Sequence, residues 1–489
     1  MNKPLAISLE FCNLLEKNNI NYCYWKCSRD FSSALAGAKD IDMLVDKNQA
    51  SECEQILLNL GFKRVISQSW ARFPGIEDWL AVDEVSGKLI HVHLHYQLLS
   101  GLKFVKEQVI PWEKIILETV VKDTSSGVAL VDPNLELILL AVRIGGETTL
   151  FFYLSRMFQK TKLPKKFSGQ RNYLLGRINE AELHRWGERL FSSQNGPQII
   201  SLISKPNLKL CSIIRLRILI AREMSRYRRH RKVPAIIIQM LCYFYVILLK
   251  LRHKIFKIPV PKKRFHNSGF IIAVIGCDGS GKSTITTELA RWFSSKLEVK
   301  KLYLGSGDGL GPLFRGLKIL VRRFKGIKRD GVKTKKISKT DTSISLPAYL
   351  WKAYIASMRY RKIIKAKMAG CSAVVITDRY PQKQFNGIYD GPSLQDRKGL
   401  PVIYQFLAKY EQVKYKQMDQ LPPDILIKLH LTPETAVSRK PDHTLSEVKA
   451  KAVITPQIYY PGTRIINIDA SEPLEMVVKK VKTRVWELL

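Results

Sequence analysis

Residues 268–289 read SGFIIAVIGCDGSGKSTITTEL, and this stretch decides the fold of the second half of the chain. Phe270–Ile275 is a β-branched apolar run, the pattern of a strand buried on both faces. Gly276-Cys277-Asp278-Gly279-Ser280-Gly281-Lys282-Ser283 follows and fits G-x-x-x-x-G-K-[ST], and an amphipathic helical pattern comes next. Strand, glycine-rich loop and helix in that order form the context in which the motif cradles a nucleoside triphosphate. Glycines let backbone N–H groups turn inward around phosphate oxygens, and the helix N-terminus adds the positive end of its dipole. The expected nucleotide-binding residues are Gly276, Asp278, Gly279, Ser280, Gly281, Lys282, Ser283 and Thr284. Lys282 is expected to reach the β and γ phosphates and the Ser283 hydroxyl to hold Mg²⁺, so ATP and Mg²⁺ are the implied cofactors.

Working outward, Val299–Gly305, Ser372–Thr377, Asp424–Leu431 and Thr463–Asp469 are further apolar runs, with helical patterns between them. Five such strands predict an α/β fold with a five-stranded parallel P-loop sheet over residues 266–489.

Four stretches now carry a family resemblance. GCDGSGKST, the run ending Thr377-Asp378-Arg379-Tyr380, PPDILIKLHLTPETAVSRK and NIDASEPLEMV together resemble the thymidylate kinase superfamily over roughly residues 268–489. The resemblance implies a nucleoside monophosphate kinase-like sheet and transfer of the ATP γ-phosphoryl group to a bound acceptor. It implies a catalytic set of Lys282, Asp378, Arg379 and Arg439. Asp378 would lie near Mg²⁺ with Ser283, or near the acceptor phosphate. Arg379 would neutralise the transferring group, and Arg439 with Lys440 would sit in a closing lid. The competing readings are a surface ion pair for Asp378-Arg379 and a solvated pair for Arg439-Lys440. The departures matter as much. Thymidylate kinases follow the second strand with Arg-Glu-Pro and place Ser and Tyr-Gln after the Asp-Arg pair. Here the corresponding stretches are Gly305-Ser306-Gly307-Asp308-Gly309-Leu310-Gly311-Pro312 and PQKQFNGIYDGP. The acceptor site is therefore rebuilt, with Gly387–Pro392 and Asp390 read either as a loop beside it or as an ordinary Gly/Pro turn.

The first half reads differently. Residues 1–18 have a helical pattern, Asn21–Lys26 a strand pattern and Ser51–Leu60 a helical one; residues 128–200 are mostly helical. Between them stand Ser28 and Asp40-Ile41-Asp42. On a strand, residues i and i+2 share a face, so Asp40 and Asp42 point the same way and can hold Mg²⁺ bridged to a triphosphate. A Ser followed about a dozen residues later by Asp-x-Asp resembles the nucleotidyltransferase fold, although Cys27 stands where a Gly is usual. The third acid of that family falls in a stretch matching Val92-His93-Leu94-His95-Tyr96, so His93 replaces it. His91, His93 and His95 share one strand face, either as metal-facing groups or as half-buried sheet histidines, and Asp83 is a spare candidate acid. The expected organisation is a nucleotidyltransferase-like α+β domain at 1–127, a helical extension at 128–204, basic linker helices at 205–265 and the P-loop domain at 266–489.

Charge qualifies the picture. Among 489 residues there are 80 Lys and Arg against 42 Asp and Glu, a net +38, while a 46% apolar content excludes a disordered chain. Lys205–Arg264 carries +16 and Arg315–Lys339 carries +10, so +26 of the +38 lies in two short segments. Inside the first, Val233–Leu249 has no charge and basic flanks. Just upstream, Ile213, Leu216, Ile220 and Met224 fall on one helical face, opposite Arg215, Arg222, Arg226 and Arg229. This predicts attachment to an anionic membrane surface. A buried interdomain helix is the second reading and a span the third, disfavoured because both flanks are positive. The second basic segment is read as a clamp on an anionic acceptor, as a membrane contact or as an exposed insertion. Aromatic-interleaved basic strands are not evident, which disfavours a nucleic-acid partner. The scattered cysteines and the acid-broken N-terminus predict a cytoplasmic protein, peripheral on the inner face of the cytoplasmic membrane.

Three functions stand against one another. The first is a phosphotransferase on a non-thymidylate acceptor, anionic or glycan-like, such as a sugar, glycan or lipid-linked intermediate of envelope polysaccharide synthesis. The others are a divergent thymidylate or nucleoside monophosphate kinase, and a nucleotidyltransferase using Asp40 and Asp42 with the P-loop domain as regulator.

Overall fold

The computed structural model describes residues 3–147, 163–305, 346–394, 400–440 and 445–489. The chain divides into two units, Met1–His266 and Asn267–Leu489. The basic segment Arg315–Lys339 and residues 306–312 of the rebuilt acceptor stretch lie outside the described residues.

The first unit is built on a mixed sheet. Its strands are β1 (Tyr22–Tyr24), β2 (Ile41–Val45), β3 (Lys63–Ile66), β4 (Ile76–Val82) and β5 (Leu89–His95). A small hairpin, β6 (Leu98–Ser100) and β7 (Gln108–Ile110), stands apart, and β8 (Val121–Lys122), β9 (Ala129–Leu130) and β10 (Arg264–Phe265) complete the sheet. The order is β10-β3-β4-β5-β2-β1-β9-β8. β2 runs parallel to β5, and β4 antiparallel to it, with Asp42, His93 and Asp78 in register across the three strands. Directly opposed residues share a face, so one carboxylate, one imidazole and a second carboxylate stand side by side.

One apolar core runs from the sheet into the helices that follow, from Met43 and Leu94 to Ile138, Ile200 and Ile220. The helix Pro133–Glu147 is apolar nearly all round and buries eleven of its fifteen residues, as such a helix must. The helix Leu210–Glu223 buries Ile213, Leu216 and Ile220 in the same core, and Met224 follows them in. The apolar face read from sequence as membrane-directed is therefore turned into the protein. The next helix, Lys232–Phe256, is the opposite case. It is 25 residues long and apolar, yet only Ala235, Gln239 and Leu249 are buried. By length and composition it is sufficient to cross a membrane.

The second unit contains β11 (Phe270–Gly276), β12 (Val299–Tyr303), β13 (Val374–Asp378), β14 (Ile425–His430) and β15 (Arg464–Asp469). They form a five-stranded sheet in the order β12-β13-β11-β14-β15, and every pairing is parallel. β11 is buried along its whole length, which is why its sequence is uninterruptedly apolar. The five strand runs read from sequence all appear, with ends shifted by one or two residues. In open parallel sheets the ligand crevice lies at the carboxyl ends of the strands, and here Gly276 ends β11 while Asp378 ends its neighbour β13.

Candidate nucleotide site and a second polar centre

The phosphate loop is the turn from β11 into the helix Lys282–Ser294. Gly279 and Gly281 sit at φ +90° and +86°, where a side chain is strained. At Gly279 a Cβ would also stand 2.5 Å from the Ala436 carbonyl oxygen. The Lys282 ammonium folds back onto its own loop and donates to the carbonyls of Gly276 at 2.9 Å and Cys277 at 2.8 Å. Burial pushes it down to about 8, against the pull of Asp278. Phosphate oxygens in place of those carbonyls would give it a full counter-charge.

Ser283 and Asp378 are brought together: the hydroxyl donates to Asp378 Oδ2 at 2.9 Å. Asp378 Oδ1 is buried with no hydrogen-bond partner among the described residues. Two adjacent oxygen donors, one of them orphaned, fit a hard cation such as Mg²⁺. Thr284, in the first helical turn, is exposed. Arg379 stands next to them with φ +70°, a left-handed conformation that costs a non-glycine residue on the order of 1–3 kcal/mol. Its guanidinium lies 3.6 Å from Asp278 and 3.5 Å from Asp390. Asp278 also pairs with Lys451. Burial opposes its ionisation, but Lys451, Lys282 and Arg379 outweigh that and bring its carboxyl down to about 2.

Arg439 is elsewhere. It donates to the carbonyls of Ala470 and Ser471, at 2.9 and 3.4 Å. The cation that the fold sets against the loop from the following helix, Leu445–Ile454, is Lys451, which carries no motif in the sequence.

Asp390, read from sequence as part of a loop near the acceptor or of an ordinary turn, lies beside Arg379. Tyr389 and Asp390 are both left-handed, at φ +48° and +56°. The conformation is held by Arg359, which pairs with the Asp390 carboxylate and donates to its carbonyl, and by the Tyr415 hydroxyl at 2.6 Å. Arg359, Tyr389 and Asp390, with Trp351, border a cavity of about 750 Å³ that opens beside Arg379.

The first unit holds its own polar centre. Asp40 pairs with His91 at 3.0 Å, His91 with Asp78 at 2.9 Å, and Asp78 with His93 at 2.5 Å. His93 lies 3.4 Å and His95 3.3 Å from the same oxygen of Asp42. Asp40, His91 and His93 form one group whose donor atoms lie within 4.8 Å of one another, and Asp42, His93 and His95 form a second. Two ammonium groups stand on these acids: Lys26 on Asp42 at 2.8 Å and Lys263 on Asp78 at 2.5 Å. Burial resists ionisation of both acids, yet Lys26, His93 and His95 hold Asp42, and His91, His93 and Lys263 hold Asp78, well below the usual carboxylate range. Burial drives His95 down to about 4, while the two flanking carboxylates outweigh burial at His93 and raise it.

The sequence reading missed Asp78, because no spacing links it to Asp40 and Asp42; only strand pairing does. Asp83, the spare acid read from sequence, instead accepts hydrogen bonds from the backbone and hydroxyl of Ser86 in the β4–β5 turn. Ser28 is near the centre, but its backbone N–H donates to the buried Glu136 carboxylate at 3.2 Å.

A glycine-rich phosphate loop at the end of a central parallel strand, with a lysine, a hydroxyl and an acid converging on it, defines a P-loop ATP-binding α/β protein. No protein-family model matches the chain. It is 35% identical over 223 residues to the "uncharacterized ATP-binding protein YghR" of Escherichia coli K12, covering 44% of this chain and 86% of that protein. It is 32% identical over 217 residues to "uncharacterized ATP-binding protein YghS" of the same organism, covering 43% and 89%. The chain belongs to the family of the ATP-binding proteins YghR and YghS.

Proposed function

We propose that the protein is an ATP- and Mg²⁺-dependent phosphotransferase of thymidylate kinase-like type, acting on an acceptor other than thymidylate. The observation that carries this reading is the convergence of Ser283, Asp378 and Arg379 between the phosphate loop and a second cavity. The cavity that opens at Arg379, beside the phosphate loop, gives an acceptor room next to the arginine.

In this reading Lys282 leaves the Gly276 and Cys277 carbonyls for the phosphates. Ser283 and Asp378 would hold the metal ion, which when bound screens the phosphate charges. Arg379 bridges the donor and acceptor sides and offsets charge on the transferring group. Arg359 and Tyr415 keep Asp390 in place beside the acceptor. Trp351 offers an aromatic face to a ring-bearing acceptor, and the sugar or glycan class rests on the replacement of the thymidylate-binding stretches by residues 305–312 and PQKQFNGIYDGP. The basic, apolar Lys232–Phe256 helix supports a site of action at the cytoplasmic face of a membrane, where lipid-linked acceptors are met.

Incubation with γ-labelled ATP and a panel of sugar, glycan and lipid-linked acceptors tests this. Label transfer should occur with wild type and fall at least a hundredfold in Lys282→Ala. Thymidylate proving the best acceptor would replace this reading with a divergent thymidylate kinase.

A further inference from the structure

We propose that the cavity of the first unit binds a small phosphate-bearing ligand directly on cationic side chains, with no divalent metal ion. The nucleotidyltransferase resemblance would put Mg²⁺ on Asp40 and Asp42, and the residues present do not fit it. The face of Asp42 that an ion needs is taken by Lys26 at 2.8 Å. The Asp78 oxygen is taken by Lys263, whose ammonium also stands 3.1 Å from His91 and 3.2 Å from His93. A hard cation prefers oxygen ligands, and here three imidazoles alternate with the carboxylates. Two ammonium groups thus perform inside the chain the charge neutralisation that a metal performs in that family.

The usual triphosphate position is closed as well. A backbone N–H at the turn before a helix is where a phosphate is received, and the Ser28 N–H is already satisfied by Glu136. Glu136 is buried and is further fixed by Gln170 at 2.5 Å.

Space and charge remain beside this closed face. A cavity of about 660 Å³ adjoins Asp78, His93 and His95, and its lining carries six Lys and Arg against three acids. Lys106 and Arg143 border it together with Lys26 and Lys263. Two further lining residues, Trp25 and His95, each keep a buried ring nitrogen with no partner among the described residues. Four of the six cations already sit on carboxylates, Lys26 on Asp42 just outside the lining, and Arg72 and Arg143 keep the balance positive, so the concave site selects an anion. The volume suits a phosphorylated sugar or nucleotide-sized molecule. The reading is independent of the phosphotransferase proposal.

The test is calorimetric titration of full-length Lys282→Ala protein with sodium pyrophosphate in EDTA. Saturable binding is expected without any divalent ion. It should weaken about tenfold or more in Lys26→Gln and in Lys263→Gln, each added to that background. Residual phosphate-loop binding is not altered by either change, so the difference reports the first unit alone. Near-UV circular dichroism checks folding, and if Lys263→Gln fails to fold, Lys26→Gln and the exposed Arg72→Ala decide. Absence of binding in EDTA, affinity unchanged in the well-folded variants, or wild-type Mn²⁺ binding that disappears in Asp42→Asn would each overturn the proposal.

Discussion

Gly279 and Gly462 separate two meanings of a glycine. Both have positive φ, +90° and +76°, but only Gly279 faces a neighbour, the Ala436 carbonyl; at Gly462 a Cβ would meet nothing within 4 Å. Gly462→Ala should therefore cost only the backbone term, about 1 kcal/mol. Gly279→Ala should cost about 1–3 kcal/mol more and weaken ATP binding at least tenfold, because the loop cannot close around phosphate. Urea unfolding and ATP titration on the pair check this, and equal effects at the two positions would sink the steric argument. Glu147 offers a pH test. Burial resists its ionisation, but Lys106 and Lys166 outweigh that and bring the carboxyl down to about 2 from 4.5. A depressed carboxylate contributes stability that is complete above its unfolded value and lost as pH falls through the folded one. The advantage of wild type over Glu147→Gln should be about 3 kcal/mol at neutral pH and shrink between pH 4.5 and 2. Chemical denaturation across that range measures it; a gap that does not change with pH would contradict it. Among the site residues, Lys282, Ser283, Asp378 and Arg379 were legible because a motif places them within a few residues of a strand end. Lys451 and Asp78 were not, since each reaches its site across the fold.

At the scale of the element, the Lys232–Phe256 helix leaves most of its apolar surface uncovered among the described residues. Ala235, Gln239 and Leu249 lie on one stripe, and Gln239 donates to the Lys103 carbonyl at 3.3 Å. Tyr245 packs on Trp70 and Tyr243 on Phe104. The helix therefore lies along the first unit for about 21 Å, from Ala235 to Leu249, at 1.5 Å per residue. A helix held along its own domain does not offer lipid its whole circumference. Its outer face still exposes Met240, Leu241, Phe244, Ile247, Leu248 and Leu251. On the membrane reading proposed above, that geometry would give an in-plane seat in one leaflet, with Arg228, Arg229, Arg231, Lys250 and Arg252 near the headgroups. Full-length protein should float with anionic vesicles and stay behind with zwitterionic ones. Phe244→Ser with Leu248→Ser should cut recovery several-fold, and flotation untouched by that pair would remove the helix from consideration. The sequence alone assigned the membrane role to the preceding helix too. Its Ile213, Leu216 and Ile220 face turned out to be core, because periodicity reports an apolar stripe and not what covers it.

For the whole molecule, two units with separate apolar cores predict two unfolding events. Calorimetry should resolve two transitions, and Mg²⁺–ATP should raise one of them. At a ligand concentration of a hundred times Kd the gain is about 2.7 kcal/mol for the unit that binds. A single transition that moves as a whole would mean that the units unfold together. The net +38 also changes its meaning at this scale. Lys263 and Lys26 stand inside the first unit against the carboxylates of Asp78 and Asp42, and Lys451 against Asp278 in the second. By itself the sequence determined the parallel sheet and the phosphate loop, because buried strands must be apolar runs and phosphate binding needs glycines and lysine at set intervals. Only the tertiary structure decided which charges meet. Pairing Asp78 with Lys263 spans 185 residues and pairing Asp278 with Lys451 spans 173, and no local periodicity encodes a contact made by strand register and chain return.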